Sequence, residues 1–281
     1  MNNTGERFIP GQHGITEFEH LNRYYFVVTQ IDLKDKNVLD IASGEGYGSN
    51  ILAQYAHQVI GIDISKEAVE HATNQYRSTN LQFLEGNAIA IPLQSHSIDV
   101  IVSFETIEHH DKHHEMMNEI KRILKTDGIL IISSPDKYYY SELPHYKNEF
   151  HIKELYYQEF KDLIHAYFTK TIFYSQRTFV GSMIVLDEEN QTYKKPKIVD
   201  NEGYVTDFTP VYNIAIGTDS ISFTPHNQLV LYKPFDEILT YVNIQNAMED
   251  GMQKIRNTKA YRLGKFILKP FSRIRTMLRR E

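Results

Sequence analysis

The chain has 281 residues, of which 41% are hydrophobic and 23% charged, a balance that is ordinary for a globular protein with a sizeable core. It contains no cysteine, which excludes disulfides, thiolate metal sites and cysteine nucleophiles. Residues 1–7 hold no apolar segment typical of a secretion signal, and no apolar run is long enough to span a bilayer, so we expect a cytoplasmic protein.

Charge is distributed unevenly along the chain. Residues 252–281 hold ten basic residues and one acidic residue, a net charge of +9, whereas the remainder holds 20 basic and 35 acidic residues, a net charge of −15. An acidic body with a basic end predicts that the end meets an anionic surface.

Apolar side chains recur at helical spacing before residue 37, so residues 1–36 are predicted to form an N-terminal helical cap. From Asn37 onward, short apolar runs alternate with amphipathic stretches of helical length, a pattern typical of a parallel sheet covered by helices on both faces. The apolar runs are Val38–Ala42, Val59–Ile64, Leu81–Leu84, Val100–Phe104 and Ile129–Ile132, and the helical stretches are Tyr47–Ala56, Lys66–Tyr76 and His113–Leu124.

Residues 37–240 are therefore predicted to form one α/β domain with a Rossmann-like, mostly parallel sheet. The predicted last elements are one helix, two strands and a polar, irregular insertion between the strands, at Glu154–Ala166, Thr171–Ser175, Val211–Ile216 and 187–209. Residues 241–281 are predicted to form a basic amphipathic helical tail, which Pro270 interrupts.

A glycine-rich turn follows the first predicted strand. Asp40 ends that strand, and Gly44, Gly46 and Gly48 come after it. Ligands of open parallel sheets bind outside the carboxyl ends of the strands, and glycines let the backbone approach them closely. Dinucleotide-binding proteins share such glycines, and a helix-capping turn beside a buried acid is the alternative interpretation.

Two acidic residues favour a ligand with a methionine moiety over a dinucleotide. A carboxylate at Asp40, four residues before Gly44, suits an ammonium group and would repel a pyrophosphate. Asp63 ends the next predicted strand, where a carboxylate can accept hydrogen bonds from both hydroxyls of a ribose.

The segment Val38–Ser49 resembles motif I of class I S-adenosylmethionine-dependent methyltransferases, and Gly61–Ser65 resembles the motif that follows it. Glu85–Ala88 is similar to the segment whose polar residue contacts the adenine amino group. Many members have Asp where this chain has Asn87, and an Asn oxygen can accept the same hydrogen bond. The resemblance implies S-adenosylmethionine as cofactor and a seven-stranded sheet whose last strand is antiparallel. The cofactor-binding residues that it implies are Arg23, Tyr24, Asp40, Ala42, Gly44, Gly46, Asp63, Ile64, Asn87, Ala88 and Phe104.

In the fold that this resemblance implies, the loop after the fourth strand lies above the methyl group of the cofactor. That loop is residues 105–110 here. A hydroxyl acceptor must lose a proton, and a positioned base contributes about 10²–10⁴-fold to such a rate. His109 is the candidate general base and Glu105 the second candidate catalytic residue. The alternative is a histidine that only caps the loop.

The same loop predicts a metal site. Glu105, Glu108 and His109 have i, i+3, i+4 spacing, which places them on one side of a helical turn, and His151 is a candidate fourth ligand. Two carboxylates and an imidazole suit Mg²⁺ or Mn²⁺. The set resembles that of metal-assisted small-RNA 2′-O-methyltransferases. The alternative is that the carboxylates pair with lysine or water and bind no metal.

Four segments resemble bacterial methyltransferases of surface-polysaccharide synthesis, including the methyltransferase domains of O-antigen chain-terminating enzymes. They are Glu6–Pro10, Glu19–Tyr24, Phe104–His110 and Asn148–Glu159. This resemblance implies that the acceptor is a sugar hydroxyl or a terminal phosphate on a lipid-linked glycan. Residues 137–150 contain four tyrosines and His145, which either bind the sugar rings of the acceptor or pack as a lid.

Residues 258–281 interleave apolar and basic side chains. This pattern predicts that the tail lies on an anionic membrane, at the inner face, or docks on a glycan-synthesis protein. A metal-assisted RNA ribose methyltransferase is the second functional hypothesis, but the acidic body argues against nucleic acid as a partner. A cofactor-binding partner without catalytic activity in a glycan-synthesis complex is the third. The oligomeric state is left open.

Overall fold

The computed structural model describes residues 15–179, 181–187, 197–199, 205–207, 209–220 and 228–230. All of them lie in the first of two compact units of the chain, Met1–Leu231. The predicted basic tail, the segment Glu6–Pro10 and parts of the predicted insertion lie outside the described residues.

From Ile15 to Phe179, helices and strands alternate as the apolar pattern predicts, except that the strand Ile98–Ser103 follows the strand Leu81–Glu85 without a helix between them. The α-helices are α1 (Ile15–Gln30), α2 (Tyr47–Ala53), α3 (Lys66–Gln75), α4 (His113–Ile123) and α5 (Tyr157–Tyr167). The strands are β1 (Asn37–Ile41), β2 (Gln58–Asp63), β3 (Leu81–Glu85), β4 (Ile98–Ser103), β5 (Leu124–Pro135), β6 (Lys170–Phe179), β7 (Gly181–Leu186), β8 (Lys197–Val199), β9 (Val205–Asp207), β10 (Tyr212–Thr218) and β11 (Gln228–Val230). A 3₁₀ turn spans Ile107–His109, and a π turn spans Tyr138–Glu142.

The main sheet has the strand order β11-β7-β6-β10-β5-β4-β1-β2-β3. Strands β1 to β5 are parallel, whereas β10 lies antiparallel between β5 and β6. This arrangement confirms the mostly parallel, Rossmann-like sheet with an antiparallel last strand. The strand order reverses direction between β1 and β4, and ligands of such sheets bind in the crevice at the carboxyl ends of these strands.

The sheet is larger than the seven strands that we expected. Among the described residues it has nine strands, because β7 folds back antiparallel on β6 and β11 pairs with β7. Burial of Ile184 and Leu186 stabilises this extension. The insertion predicted to be irregular also contains the antiparallel ribbon of β8 and β9.

Two apolar cores cover the two faces of the sheet. Side chains of β1, β4 and β5 alternate between the faces, as the period of two in a strand requires. One face packs against α4 and α5 through Leu39, Ile41, Ile101, Leu130, Ile132, Met116, Ile120, Phe160 and Ile164. The other packs against α1 and α2 through Val38, Val100, Val102, Ile129, Ile131, Phe26, Val27 and Leu52. No helix within the described residues is long and apolar enough to cross a membrane.

Helix α2 packs closely on α1 at one glycine. A Cβ atom on Gly48 would overlap the ring of Tyr24, so only glycine lets the two helices approach this closely. The contact fixes the Tyr24 ring next to the glycine-rich turn. It therefore places the N-terminal helix beside the crevice.

Candidate functional site

A cavity of about 800 Å³ opens at the carboxyl ends of the central strands. One end is formed by the glycine-rich turn and the carboxyl ends of β2 and β3. The other end is formed by the loop after β4, which faces residues 140–151. We call them the cofactor end and the acceptor end. The predicted site residues that line the cavity are Tyr24, Ala42, Gly44, Asp63, Ile64, Asn87, Ala88, Phe104, Glu105, Glu108, His109 and His151.

Asp63 is held at the cofactor end by backbone amides. Its Oδ2 accepts a hydrogen bond from the Gly44 amide at 2.9 Å, and its Oδ1 accepts one from the Ser65 amide at 2.8 Å. Each carboxylate oxygen can accept a further bond, so Asp63 can still bind two ligand hydroxyls. A Cβ atom on Gly44 would meet no atom within 4 Å, so the cavity is open directly beside this backbone.

Asn87 lines the neighbouring wall together with Ala88. Its Oδ1 accepts a hydrogen bond from the Ile89 amide at 3.1 Å, which fixes the orientation of the side chain. A carbonyl oxygen accepts two bonds, so this oxygen can also take one from a ligand amino group. The wall therefore has the acceptor that an adenine amino group requires.

Asp40 and Gly46 are placed differently from our prediction. Neither lines the cavity, and the Asp40 carboxylate is fully buried. It accepts hydrogen bonds from the Ser49 hydroxyl at 2.6 Å and the Tyr24 hydroxyl at 3.2 Å, because its side chain points beneath the turn. Burial raises the pKa of Asp40 to about 7. Asp40 thus supports the turn from below, and its predicted contact with an ammonium group stays a prediction.

Arg23 is likewise buried behind the lining. Its Nε donates to Gln176 Oε1 at 2.7 Å, its guanidinium lies 4.3 Å from the centre of the Tyr212 ring, and its Nη1 lies 3.5 Å from Glu105 Oε1. Arg23 is therefore not part of the cavity lining, and its predicted contact with the cofactor stays a prediction. The arginine instead faces a carboxylate that lines the cavity.

Glu105 departs from the predicted metal set. Its backbone is left-handed, with φ of 49°, so the helical turn begins only at Ile107. The side chain accepts a hydrogen bond from the Ser133 hydroxyl at 2.7 Å and faces Arg23. The three other predicted ligands do come together: one donor atom each of Glu108, His109 and His151 lies within 4.8 Å of the others.

The two histidines of this group are held in defined tautomers. His109 Nδ1 lies 3.1 Å from the Phe150 carbonyl oxygen, which can only accept, so Nδ1 carries the hydrogen and Nε2 is the proton acceptor. His151 Nδ1 donates to Glu154 at 2.6 Å, and its Nε2 accepts from the Asn148 amide at 3.0 Å. The rings meet edge to face, 5.2 Å apart.

Residues 32–194, more than half of the chain, match a family model described as a methyltransferase domain. The chain belongs to this methyltransferase domain family. A Mycolicibacterium smegmatis protein named as a probable S-adenosylmethionine-dependent methyltransferase is 33% identical over 167 residues, 57% of this chain and 62% of that protein. The chain thus spans less than two thirds of the length of this relative.

Two further proteins are similar to this chain. The phthiotriol/phenolphthiotriol dimycocerosates methyltransferase of Mycobacterium tuberculosis is 28% identical over 111 residues, 39% of this chain and 41% of that protein. An S-adenosylmethionine-dependent methyltransferase of Thermotoga maritima superposes with a TM-score of 0.53 at 18% identity, over 73% of this chain and 91% of that chain. This second likeness shows the shared fold.

The sequence did not identify several residues that line the cavity. Glu19 and Tyr212 meet at its wall, where the Tyr212 hydroxyl donates to Glu19 at 3.1 Å. Burial raises the pKa of Glu19, although the charge of Arg23 opposes the shift. His20 also lines the wall, and burial together with the Arg23 charge lowers its pKa to about 3, so it is neutral.

The aromatic segment after β5 is only partly at the cavity. Tyr140 and Tyr146 line it, whereas Tyr138, Tyr139 and His145 do not. The Tyr140 ring is stacked on His151 with centroids 5.2 Å apart. The acceptor end thus consists of histidines backed by aromatic faces.

Proposed function

We propose that this methyltransferase transfers a methyl group from S-adenosylmethionine to a sugar hydroxyl, or to a terminal phosphate, of a lipid-carried surface glycan. Family membership supports the donor. The relative named as a phthiotriol/phenolphthiotriol dimycocerosates methyltransferase supports an acceptor with a lipid portion. The sugar is supported by the resemblance to polysaccharide methyltransferases and by the aromatic faces of the acceptor end.

The cofactor end fits S-adenosylmethionine. Asp63 offers oxygens for the ribose hydroxyls, Asn87 offers an acceptor for the adenine amino group, and the cavity beside Gly44 is open to a ligand. The carboxylates of Glu19 and Glu105 line the wall and suit the positive charges of the ligand. When bound, the cofactor supplies an activated methyl group on a sulfonium.

His109 is the proposed base, and its fixed tautomer is the observation that carries this proposal. The Phe150 carbonyl holds the hydrogen on Nδ1, so Nε2 can take the proton of an acceptor hydroxyl. As the hydroxyl oxygen bonds to the methyl carbon, that proton passes to Nε2, and the carbon–sulfur electron pair stays on sulfur. The methylated acceptor leaves as an ether. His109 remains as an imidazolium, and water then removes its proton.

Replacing His109 with Gln tests the base. We expect kcat for methyl transfer to lipid-linked glycan fractions to fall about 10²–10⁴-fold, with the affinity for S-adenosylmethionine retained. His114→Gln is the matched control, because His114 lies on α4, bonds the Tyr167 hydroxyl and does not line the cavity. Unchanged turnover in His109→Gln would exclude His109 as the general base. If the wild-type chain transferred no methyl group at all, the result would favour the alternative of a non-catalytic cofactor-binding partner.

A second candidate role for the histidines is a metal site, favoured by the 4.8 Å grouping of Glu108, His109 and His151. Metal-bound histidines typically donate the hydrogen of their other ring nitrogen to a carboxylate or carbonyl, as His151 does to Glu154 and His109 to Phe150. At His151 Nε2, a metal would have to replace the hydrogen bond from the Asn148 amide. Mg²⁺ or Mn²⁺ there would activate an acceptor hydroxyl, as in a metal-assisted RNA ribose methyltransferase.

Calorimetric titration with MnCl₂ separates the two roles. A metal site predicts binding that Glu108→Gln abolishes and activity that a chelator removes. Absence of heat together with chelator-insensitive transfer excludes the metal. Transfer to an RNA oligonucleotide, rather than to glycan fractions, would establish the RNA alternative.

The basic tail is the proposed membrane or partner contact. Residues 258–281 combine cationic and apolar side chains, which suits an anionic leaflet or an acidic glycan-synthesis protein. Flotation with anionic vesicles should weaken as salt rises. Salt-independent flotation would argue against an electrostatic role for the tail.

A further inference from the structure

The segment between β5 and α5 carries most of the large apolar side chains that are exposed among the described residues. Six of the eight lie in it, with exposed fractions from 37% to 68%: Tyr138, Leu143, Tyr146, Phe150, Ile152 and Tyr156. We call these six side chains the apolar rim. Exposed apolar side chains are ordinary when they are scattered, so their concentration in one segment indicates an interaction surface.

The rim is held in place by hydrogen bonds that do not bury its side chains. The Tyr156 hydroxyl donates to Glu142 at 2.6 Å, and the Ile152 amide donates to the Glu108 carbonyl oxygen at 2.8 Å. These bonds fix the segment against the loop after β4. An apolar surface that is held in place by the chain's own hydrogen bonds loses less entropy when it binds a partner.

The rim is continuous with the acceptor end of the cavity. Tyr146 and Phe150 are about half exposed and also line the cavity, and Ile152 is bonded to the backbone of Glu108, which lines it too. A surface that covers the rim therefore lies against the cavity mouth. An acceptor that enters the cavity while it is attached to that surface meets His109 directly.

The composition of the rim suits a lipid–water interface. Leu143 and Ile152 are its most exposed members, and three of the six are tyrosines, which prefer the boundary between apolar chains and water. The same segment contains three lysines and three glutamates: Lys137, Lys147, Lys153, Glu142, Glu149 and Glu154. With the buried Asp136, the segment has a net charge of −1 when its histidines are neutral, so it is not attracted to anionic lipid and apolar contact must supply the attraction.

We propose that the apolar rim docks on the surface of a lipid bilayer and holds the mouth of the cavity against it. The acceptor that such a bilayer would carry rests on the proposed function. The bilayer contact itself does not, because it needs neither cofactor nor acceptor. The lack of positive charge also distinguishes the rim from the basic tail, whose attraction would depend on anionic lipid.

Flotation of the full chain with vesicles of phosphatidylcholine alone, at low and high salt, tests the rim. The Leu143→Ser/Ile152→Ser double variant changes two rim residues that do not line the cavity. We expect its partition onto neutral vesicles to fall about tenfold at both salt concentrations, because most of the binding energy comes from apolar burial. Tyr55→Ser is the matched control. Tyr55 is 47% exposed but lies just before the amino end of β2, whereas the cavity opens at the carboxyl ends of the strands.

Equal partition of the wild type and the double variant would contradict the proposed docking of the rim on a bilayer. So would a wild-type chain that does not bind neutral vesicles. Sedimentation without vesicles detects the competing occupant: a wild-type dimer that the double variant dissociates would assign the rim to a second copy. Calorimetric binding of S-adenosylmethionine checks that the variant is folded. A chain that binds vesicles through the rim but methylates no glycan would refute the proposed function alone.

Discussion

The two ends of the cavity are built in different ways. At the cofactor end, backbone amides that follow two strands orient the Asp63 carboxylate. At the acceptor end, side chains and a carbonyl from residues 148–154 orient His109 and His151. The first end belongs to the sheet, whereas the second depends on one long connection packed against a 3₁₀ turn.

This difference indicates which end of the cavity determines the choice of substrate. Strand ends of a parallel sheet place the cofactor groups in the same way whatever the acceptor is, since they are fixed by the fold itself. A connection between elements can change without disturbing the sheet, and it therefore determines specificity. Mutations at the cofactor end should change the Kd of S-adenosylmethionine, and mutations at the acceptor end should change the KM of the proposed glycan acceptor.

Among variants that separate the two ends of the cavity by ligand affinity, the largest effect is expected from Asp63→Ala. The variant loses two bonds to the glycine-rich turn and the acceptor for the ribose hydroxyls, so the Kd of S-adenosylmethionine should rise about 100-fold, or roughly 3 kcal/mol. Calorimetric titration measures it. Glu85→Ala is the matched control, because Glu85 pairs with Asp63 across β2 and β3 but does not line the cavity. Similar losses in both variants would contradict the assignment of Asp63.

A smaller loss of stability is expected from Gly48→Ala. Alanine usually stabilises a helix by about 1 kcal/mol over glycine. Here its Cβ would overlap the Tyr24 ring, and overpacking of this kind should lower the free energy of unfolding in urea by about 2 kcal/mol. In a Tyr24→Ala background the same substitution should cost nothing. A stabilised single variant would show that α1 does not pack closely on α2.

The fold was predictable as far as its strands alternate with helices. The runs from Val38 to Ile132 mark β1 to β5 correctly because strands buried on both faces are continuously apolar. Strand β7 was missed, since Gly181–Leu186 follows β6 directly with no helical stretch between them. An antiparallel hairpin adds a strand without the alternation on which the prediction depended.

The site was predictable where a residue follows the carboxyl end of a parallel strand, as Asp63 and Asn87 do. Tyr212 was not predicted, because it begins β10. This strand is antiparallel, so its amino end lies beside the carboxyl ends of the parallel strands. Glu105 was placed among the metal ligands by its spacing. Its left-handed backbone, which the sequence does not reveal, turns it toward Ser133 and Arg23 instead.

Tyr146→Ala tests the acceptor end by itself. Tyr146 is 52% exposed and packs edge-on against Tyr140, with ring centroids 5.8 Å apart. Loss of this aromatic face should raise the KM for glycan acceptors about tenfold, the value of one aromatic contact, while the Kd of S-adenosylmethionine stays the same. Tyr55→Ala should change neither constant. A weaker affinity for the cofactor in Tyr146→Ala would show that the two ends are coupled.

The smallest expected effect is an increase in the free energy of unfolding, and it comes from the backbone at the cofactor end. Ala42 has a φ of 58°, and this left-handed conformation costs a residue with a Cβ about 1–2 kcal/mol. The side chain is exposed, so its removal sacrifices little packing. Because glycine loses about 0.5–1 kcal/mol more conformational entropy on folding, Ala42→Gly should gain about 0.5 kcal/mol in urea unfolding.

Ala53→Gly, in the right-handed conformation of α2, should instead lose about 1 kcal/mol. Opposite signs for two identical substitutions would show that the turn stores strain which the helix does not. Losses in both would mean that the Ala42 methyl group makes contacts worth more than its backbone strain. The glycine-rich turn would then depend on side-chain contacts, as the acceptor end does.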